Sequence, residues 1–464
     1  MPELYIFCRS ANRLISGNAK LAGLEKDLNL KGYDYNKVLS VFYISYILFE
    51  IPSNIVCKII GPGWFIPIIS LAFGICSICT AFVHDIHAVS GVRFLLGIFE
   101  AGMMPGIAYY MSRWYRRSEL SFRLSLYIVM SPLAGAFGGL LASGILKLPH
   151  FGGLHKWRMI FAIEGIITCG LALISFFTLT DRPATAIWLT QEEKDLAIAR
   201  VKSERVATTE VLDKMDVPKT LKGIFSPVTI ATAFVFLLNN ITVQGLAFFA
   251  PTIVQTIYPD ETVIQQQLHT VPPYVVGGFF TLLFPFISWR MDRRNIFFII
   301  SAPMIMGGYI MFLASTNSSV RYAATFIIAS GAFSFGALCN AQVAANVVSD
   351  TARLVTVLRP VIHSSLIYLF RASAIATAVM FGNVGGLIST WSFLPFDRPN
   401  YRIGNGLNLA TSSTILFLSI GLHLWMKRDN RSRAKRDVDQ ELEGLSQQEI
   451  QDLDWRHPAF RWRL

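Results

Sequence analysis

Two oppositely charged residues in one apolar stretch are the first candidates for chemistry in this sequence. Arg93 and Glu100 lie in the segment Arg93-Phe-Leu-Leu-Gly-Ile-Phe-Glu100, two helical turns apart, so both side chains would share one helix face. A guanidinium group can hold a carboxylate through two hydrogen bonds, and a buried carboxyl group can exchange a proton. The pair therefore predicts anion binding by Arg93 and proton coupling by Glu100. An internal structural ion pair is the alternative.

Two further acidic residues lie in apolar stretches. Glu50, in Phe49-Glu50-Ile-Pro52-Ser-Asn54, is a second candidate for proton coupling. Its alternative role is a polar contact between helices that Asn54 would stabilise. Glu164 lies near the outer end of another apolar stretch, and we expect it to form a structural ion pair with Arg158.

Uncharged amide side chains are the polar candidates in the second part of the chain. Asn240, Gln244 and Asn340 all lie in apolar stretches. Such amides can hydrogen-bond a polar substrate in a dry cavity, and we assign these three to substrate binding. Equally, they can join neighbouring helices, where each contact is worth about 0.6 kcal/mol.

The composition excludes several classes of protein. The 464 residues are 53% hydrophobic and 15% charged, whereas soluble domains carry about 25% charged residues. The mean hydropathy of +0.47 argues for a membrane protein and against a soluble enzyme, a disordered chain or a disulfide scaffold. No nucleotide-binding loop, metalloprotease motif or nucleophile elbow is present. We expect no enzyme activity, no cofactor and no metal, and movement driven by a gradient rather than by ATP.

Apolar segments of about 20 residues predict an all-α membrane protein embedded in a lipid bilayer. We interpret eleven complete spans, at about 39–59, 64–83, 88–112, 122–146, 157–180, 227–250, 271–289, 296–314, 321–346, 372–393 and 408–426. The corresponding organisation is an N-terminal bundle at 1–180, a middle loop at 181–224, a C-terminal bundle at 225–426 and a tail at 427–464.

Basic residues accumulate in alternate loops and in the tail, which places these segments in the cytoplasm. The net charge of +11 therefore indicates an inner membrane face rather than a nucleic-acid partner. With the C-terminus inside, eleven spans would leave Met1 outside, and they divide unevenly into five and six. One more helix before residue 15 would give six and six. The stretch 1–14 is too short and too charged for that helix, so we expect the first helix to be incomplete.

Glycine pairs indicate close helix packing and an internal repeat. Gly135 and Gly139 in one span have the same G-x-x-x-G spacing as Gly382 and Gly386 in another, and similar residues surround both pairs. Transporters are commonly built from repeated halves, so we interpret the similarity as duplication. Two independent close-packing helices are the alternative. Gly102 and Gly106, with Pro105, would let the helix that carries Arg93 and Glu100 bend or pack closely.

Motifs from residue 15 to the tail match one known family. They include Gly17-Asn18-Ala19-Lys20-Leu-Ala-Gly23-Leu-Glu25-Lys-Asp27-Leu28, 93–106, Trp114-Tyr115-Arg116-Arg117-Ser-Glu119, 157–165, Thr270-Val-Pro272-Pro273-Tyr274 and Gly382-Asn383-Val-Gly385-Gly386. The chain resembles the fungal allantoate-permease-like transporters, including nicotinate permeases, in the anion:cation symporter branch of the major facilitator superfamily.

The resemblance implies two six-helix bundles and proton-coupled uptake of a small organic anion, such as nicotinate or allantoate, by alternating access. It also implies that Arg93 and Glu100 serve anion binding and proton coupling. We expect a monomer in the plasma membrane. A non-transporting nutrient sensor on the same fold is the alternative function.

The segment Leu354–Phe370 interrupts a loop that is short in the resembling family. Removing 354–371 would join Arg353 directly to Ala372 and restore the family-like pattern. As a span, the segment would carry the basic tail outside, against the charge rule. We interpret it as a retained intron, with an interfacial helix as the alternative. If so, the chain as written is the inactive product of a faulty gene model.

Overall fold

The computed structural model describes residues 15–114, 117–149, 153–154, 156–186, 188–202, 226–346, 374–435, 437–444, 453 and 456–463. The predicted insert at 354–371 and the start of the first helix, residues 1–14, lie outside the described residues. The helices, numbered in chain order, are α1 (15–21), α2 (Leu24–Asp27), α3 (Asp34–Ile60), α4 (Pro62–Thr80), α5 (Ile86–Ala101), α6 (Met103–Trp114), α7 (Arg117–Ile145), α8 (Trp157–Thr178), α9 (Gln191–Lys202), α10 (Pro227–Ile257), α11 (Val263–Met291), α12 (Asn295–Ala314), α13 (Ser318–Ala332), α14 (Ser334–Asn346), α15 (Ala374–Ser389), α16 (Arg402–Arg433) and α17 (Val438–Leu442).

Every predicted span coincides with helical structure, so the predicted all-α membrane fold is confirmed. Among the described residues, eight helices are long and apolar enough to cross a membrane. The other three predicted spans correspond to α3, to α5 with α6, and to the described part of α15. These include the two spans that carry the buried acidic candidates; α5, with 16 residues before the break at Gly102, is shorter than a full crossing.

Polar residues at several helix starts satisfy the first backbone N–H groups, which have no partner within the helix. Asp85 accepts a hydrogen bond from the Ala88 N–H at 2.6 Å at the start of α5. Thr262 and Gln265 form a reciprocal capping box at the start of α11. These caps fix where a membrane helix begins, and they therefore set the depth of each buried side chain that follows.

Two long helices are broken at equivalent places. Gly102 separates α5 from α6, and Phe333 separates α13 from α14. When the starts of the two helices are aligned, the breaks fall within one residue of each other. If the membrane crossings of each half are numbered in chain order, starting from α1 and from α10, each broken helix is the fourth crossing of its half. The shared break is structural support for an internal repeat.

The described bundle has two halves, α1 to α8 and α10 to α16. In the first half, α3 packs on α5 and α4 packs on α8. In the second half, α10 packs on α15, while α12 packs on α13 and α16. The halves meet where α7 lies against α11 and where α3 lies against α15.

The repeated glycine pairs lie at both contacts between the halves. A methyl group added to Gly135 would lie 2.5 Å from the Tyr274 ring of α11. In the other contact, Gly386 packs against the Tyr43 ring of α3. The fifth crossing of each half thus presents a glycine to a tyrosine on the second crossing of the opposite half. This reciprocity is expected of a duplicated fold, because it relates the two contacts by a two-fold axis.

The other predicted packing glycines also lie in close contacts. An added methyl group would lie 2.6 Å from the Phe65 ring at Gly102, 2.8 Å from Thr270 at Gly139 and 2.5 Å from Phe236 at Gly382. At Gly106 the nearest atom, the Cys57 sulfur, would be 3.4 Å away, which is ordinary contact.

Hydrogen bonds hold the halves together at one end of the bundle, which we call the Asn36 end. The Asn36 side chain donates to the Thr390 carbonyl oxygen at 2.5 Å, and the Ser40 and Thr390 hydroxyls lie 3.1 Å apart. The Trp391 indole donates to the Ser40 hydroxyl at 2.9 Å. We call the opposite end, where α3 and α16 finish, the basic end. In this conformation α3 and α15 are therefore fastened at the Asn36 end.

Candidate functional site

The Arg93 guanidinium lies inside the bundle. Arg93 is 5% exposed, and its Nε has no hydrogen-bond partner among the described residues. The guanidinium carbon lies 5.5 Å from the centre of the Phe161 ring of α8. A ring face offers a weak cation–π attraction and does not replace a carboxylate or water. Arg93 is therefore a largely dehydrated cation, and the described residues leave its Nε–H without an acceptor.

Glu100 is buried two helical turns further along the same helix. Its carboxylate is close enough to Arg93 for an electrostatic interaction. However, among the described residues, no ion pair within 4.0 Å joins the two groups. The structure thus places the two predicted residues on one side of α5, as their spacing indicates, but does not close them into a bonded internal pair.

Tyr35 is a site residue that the sequence reasoning missed. Its hydroxyl is buried, has no hydrogen-bond partner in the described part of the chain and interacts electrostatically with Arg93. The Lys20 amine lies 4.1 Å from the centre of the Tyr35 ring and forms a 3.1 Å ion pair with Glu25. A tyrosine at the start of a helix carries no pattern that marks it in sequence, so only the fold identifies it.

Arg93 and Tyr35 together present hydrogen-bond donors. A guanidinium has donors only, and a phenol readily donates to a charged acceptor. Leaving such groups buried without acceptors costs free energy, and a buried cation costs more than a neutral group. The complementary ligand is an anion with at least two acceptor oxygens. A carboxylate meets that requirement.

Aromatic rings surround this donor pair. The Tyr35 ring contacts Phe249 of α10 edge-on, with centres 6.2 Å apart, and the Phe161 ring lies at Arg93. Phe249 belongs to the second half, so the site is shared between the halves. Rings give a neutral, flat surface beside the cation, which suits the apolar part of a small organic anion.

Glu50 contacts the second half directly. The Asn383 side chain of α15 donates to Glu50 Oε2 at 3.1 Å, and both residues are buried. This buried side-chain hydrogen bond joins α3 to α15 and therefore one half to the other. The side chain of Asn54, the partner named in the alternative reading, lies outside the described residues.

The three candidate amides have different surroundings. Asn240 donates to the Gly382 carbonyl oxygen and so joins α10 to α15, in line with the helix-joining alternative. Asn340 donates to the Gly336 carbonyl within its own helix at 2.9 Å and is half-buried. Gln244 is half-buried, and the described residues give it no hydrogen-bond partner. Of the three, Gln244 is the one whose amide has no partner in the described part of the chain.

The predicted pairing of Glu164 with Arg158 is wrong. Arg158 instead pairs with Asp27 at 3.1 Å and donates to the Ala81 carbonyl oxygen at 2.8 Å. Residues six apart on a helix point in directions that differ by about 120°, so the two side chains cannot share a face. Glu164 Oε1 is buried without a partner among the described residues.

A cavity of about 30 Å³ lies within the second half, and its lining is mainly apolar, with Tyr274, Thr325 and Asn405 among the exceptions. No group of His, Cys, Asp or Glu residues in the described part of the chain could hold a metal ion.

A helical membrane fold of two repeated halves, with a buried cation that has no acidic partner among the described residues, defines the class of multi-span solute transporters. Residues 4–390 match the family model of the Major Facilitator Superfamily, and the chain belongs to this superfamily. The predicted superfamily is thus confirmed, and the protein is a multi-pass membrane transporter rather than an enzyme.

Relatives of this chain are fungal transporters. It is 35% identical over 342 residues to MFS transporter prlL from Fungal sp., covering 71% of this chain and 67% of the relative. It is 29% identical over 430 residues to the high-affinity nicotinic acid transporter of Saccharomyces cerevisiae, covering 93% and 76% of the two chains. An uncharacterized transporter of Schizosaccharomyces pombe is 28% identical over 99% of this chain and 87% of its own.

The same fold is known from solved structures. A bacterial homologue of the human lysosomal transporter Spinster, in an inward-facing and unoccupied conformation, superimposes with a TM-score of 0.65. The match covers 90% of this chain and 94% of that chain at 13% sequence identity. At this identity the similarity concerns the fold.

Proposed function

We propose that the protein carries a small organic carboxylate across the membrane together with a proton. The observation that supports this most directly is Arg93, a buried guanidinium without an acidic partner within bonding distance in the described structure. Tyr35 adds a second donor beside it. The similarity to a nicotinic acid transporter of yeast points to the same class of substrate.

The rings around the donors favour an aromatic monocarboxylate, such as nicotinate, over allantoate. The carboxylate would bind Arg93 and Tyr35, while its ring would pack between Phe161 and Phe249. Gln244 could then hydrogen-bond a polar atom of the ring. Asn240 and Asn340 would contribute at the edge of the site.

Proton coupling would involve Glu100 and Glu50. Glu100 lies near Arg93, the cation that would bind the substrate. Protonation of Glu100 would therefore change the electrostatic potential at the bound anion. Glu50 accepts a hydrogen bond from Asn383 across the halves. A carboxylate accepts more strongly than a neutral carboxyl group, so protonation of Glu50 would weaken the contact between α3 and α15. Proton binding would thereby favour separation at the Asn36 end, as alternating access requires.

The basic end would face the cytoplasm of a monomer in the plasma membrane, with the middle loop and the tail on that side. The closed Asn36 end would then be extracellular. A sensor on the same fold would bind the anion without moving it. The segment 354–371 remains a proposed retained intron. A mature transcript that always encodes it would refute that assignment.

Uptake of radiolabelled nicotinate, benzoate, allantoate and nicotinamide tests this function in vesicles with an imposed pH gradient. Nicotinamide has the shape of nicotinate but no charge, so it is the matched control for anion recognition. We expect nicotinate or benzoate to accumulate and nicotinamide to be excluded. Equal uptake of nicotinamide would contradict the role of Arg93, and specific nicotinate binding without uptake would indicate a sensor.

A further inference from the structure

The final described segment of the chain folds back onto the helix bundle. Residues 456–463 lie along the basic end, where the Trp462 side chain is only 3% exposed. Trp462 packs against Val228 of α10 and against Leu422 and Met426 of α16, in a small apolar cluster separate from the main core. The segment is thus held by an apolar anchor of its own, because an indole buries a large apolar area.

Polar contacts attach the same segment to the end of α16. The Trp462 indole donates to Asp429 Oδ2 at 2.6 Å. The Trp462 N–H donates to the Asn430 side-chain oxygen at 2.8 Å, and the Asn430 amide donates back to the Trp462 carbonyl at 2.9 Å. Arg433 pairs with the same Asp429 carboxylate at 2.6 Å and donates to the His457 carbonyl at 3.1 Å. Both backbone groups of Trp462 are therefore satisfied by one side chain of α16.

Further contacts attach the segment to the end of α14. The Arg463 N–H donates to the Asn346 side-chain oxygen at 2.8 Å. The Asn346 amide donates to the Arg463 carbonyl at 3.1 Å, and the Gln342 amide donates to the same carbonyl at 3.3 Å. The Arg463 side chain is repelled electrostatically by the like charge of Arg294. Backbone groups, rather than the charge of Arg463, therefore make this attachment.

We propose that residues 456–463 form a strap that fixes the end of α14 to α10 and α16 and so controls the mobility of this broken helix. Helix α14 has only 13 residues and follows the break at Phe333. A helix of this length is marginal alone and depends on its packing. The strap pins the end that is remote from the break, where a swing about Phe333 would be largest.

The contacts of the strap determine what it can control. Among the described residues, its hydrogen-bond and apolar packing partners beyond its own residues lie in α10, α14 and α16 of the second half. It joins three helices at the basic end of a single half, so that with the strap in place they move together and with the strap released α14 can move separately.

Hydrogen–deuterium exchange on the full-length protein in detergent tests the strap, with peptides from residues 334–346 as the readout. Trp462→Ala removes the anchor, and Arg461→Ala is the matched control, because exposed Arg461 bonds only to carbonyls within the segment. We expect exchange at 334–346 to rise about tenfold in Trp462→Ala and to stay unchanged in Arg461→Ala. Peptides from α4, in the other half, should not change in either variant.

A chain that ends at residue 455 provides a second variant in case Trp462→Ala folds poorly. Its exchange at 334–346 should also rise, and a synthetic peptide of residues 456–464 should restore protection, whereas a scrambled peptide should not. Wild-type exchange at 334–346 in both the variant and the truncated chain would overturn the proposal. Faster exchange throughout both halves, without rescue by the peptide, would also overturn it, because the tail would then only stabilise the fold.

Discussion

Arg93 differs from other cations of the described helices in the residues around it. Three of those cations each have an acidic partner: Lys20 with Glu25, Arg158 with Asp27, and Arg433 with Asp429. Among the described residues Arg93 has no acidic partner within bonding distance, although its side chain is buried. A buried charge without an acidic partner destabilises the folded protein. Its presence at this position therefore indicates a function such as ligand binding.

We expect Arg93→Lys to lower initial uptake of the carboxylate by about tenfold or more. Lysine keeps the charge but loses the planar fork that can bond two carboxylate oxygens. The measurement is the concentration dependence of initial uptake in vesicles. Arg431→Lys, at the exposed end of α16, is the control and should transport normally. Unchanged kinetics in Arg93→Lys would remove Arg93 from the site.

We expect Glu100→Gln to stop accumulation against a gradient while exchange of internal for external substrate continues. Glutamine keeps the size of the side chain but cannot release a proton, so the coupled step is lost and the binding step is retained. The measurement compares uphill uptake with counterflow in the same vesicles. Glu50→Gln is the parallel variant. If Glu100→Gln still concentrates substrate and responds normally to external pH, coupling lies elsewhere.

The sequence identifies Arg93 and Glu100 as candidates but does not identify Tyr35. Arg93 and Glu100 are visible because charge is rare in apolar segments, and their spacing places them on one face. Tyr35 has no such mark, since aromatic residues occur throughout these helices. The error at Glu164 came from treating closeness in sequence as contact, whereas the helix turns Arg158 toward α2.

At the scale of the elements, hydropathy located the spans, but it could not show where a helix breaks. Gly102 was a candidate for bending in the sequence, and the structure ends α5 there. Phe333 is not a helix-breaking residue, so the sequence does not predict a break there. Its equivalence to Gly102 becomes visible only when the two halves are compared. Partners of the repeated glycines were likewise invisible, because they lie in the opposite half.

We expect Gly386→Ala to destabilise the protein by about 1–3 kcal/mol, because the added methyl group would meet the buried Tyr43 ring. Gly421→Ala is the matched control, since nothing lies within 4 Å of the added methyl group in α16. That variant should be neutral or slightly stabilised by better helix propensity. Thermal unfolding in detergent measures both. Equal unfolding temperatures would contradict the close glycine–tyrosine contact.

At the scale of the whole molecule, the halves are fastened at the Asn36 end, and the site residue Tyr35 lies one position from Asn36. A substrate bound at Arg93 and Tyr35 would therefore be separated from one side of the membrane by the α3–α15 contact. The sequence predicts two halves, and its basic loops predict which end is cytoplasmic; that sidedness stays a prediction. It could not predict which end is closed, because closure depends on pairings across the halves.

We expect a disulfide between Ser40→Cys and Thr390→Cys to block transport reversibly. The two hydroxyl oxygens are 3.1 Å apart, so the sulfur atoms could bond with little backbone movement. The cross-link would hold the Asn36 end closed and prevent alternating access. The measurement is uptake before oxidation, after oxidation and after reduction, with each single cysteine variant as a control. Full uptake by the oxidised, cross-linked protein would show that this end need not open.

The burial of Trp462 also has a practical consequence for labelling. The backbone of Arg463 is engaged by Asn346 and Gln342, so a reporter fused directly after Leu464 would begin next to a buried contact. A fluorescent protein fused at that position could disturb the strap and so change the conformational equilibrium that it is intended to report. Residues 437–444 are largely exposed and take no part in the described hydrogen bonds of Trp462 and Arg463, which makes them a better place for a short epitope tag.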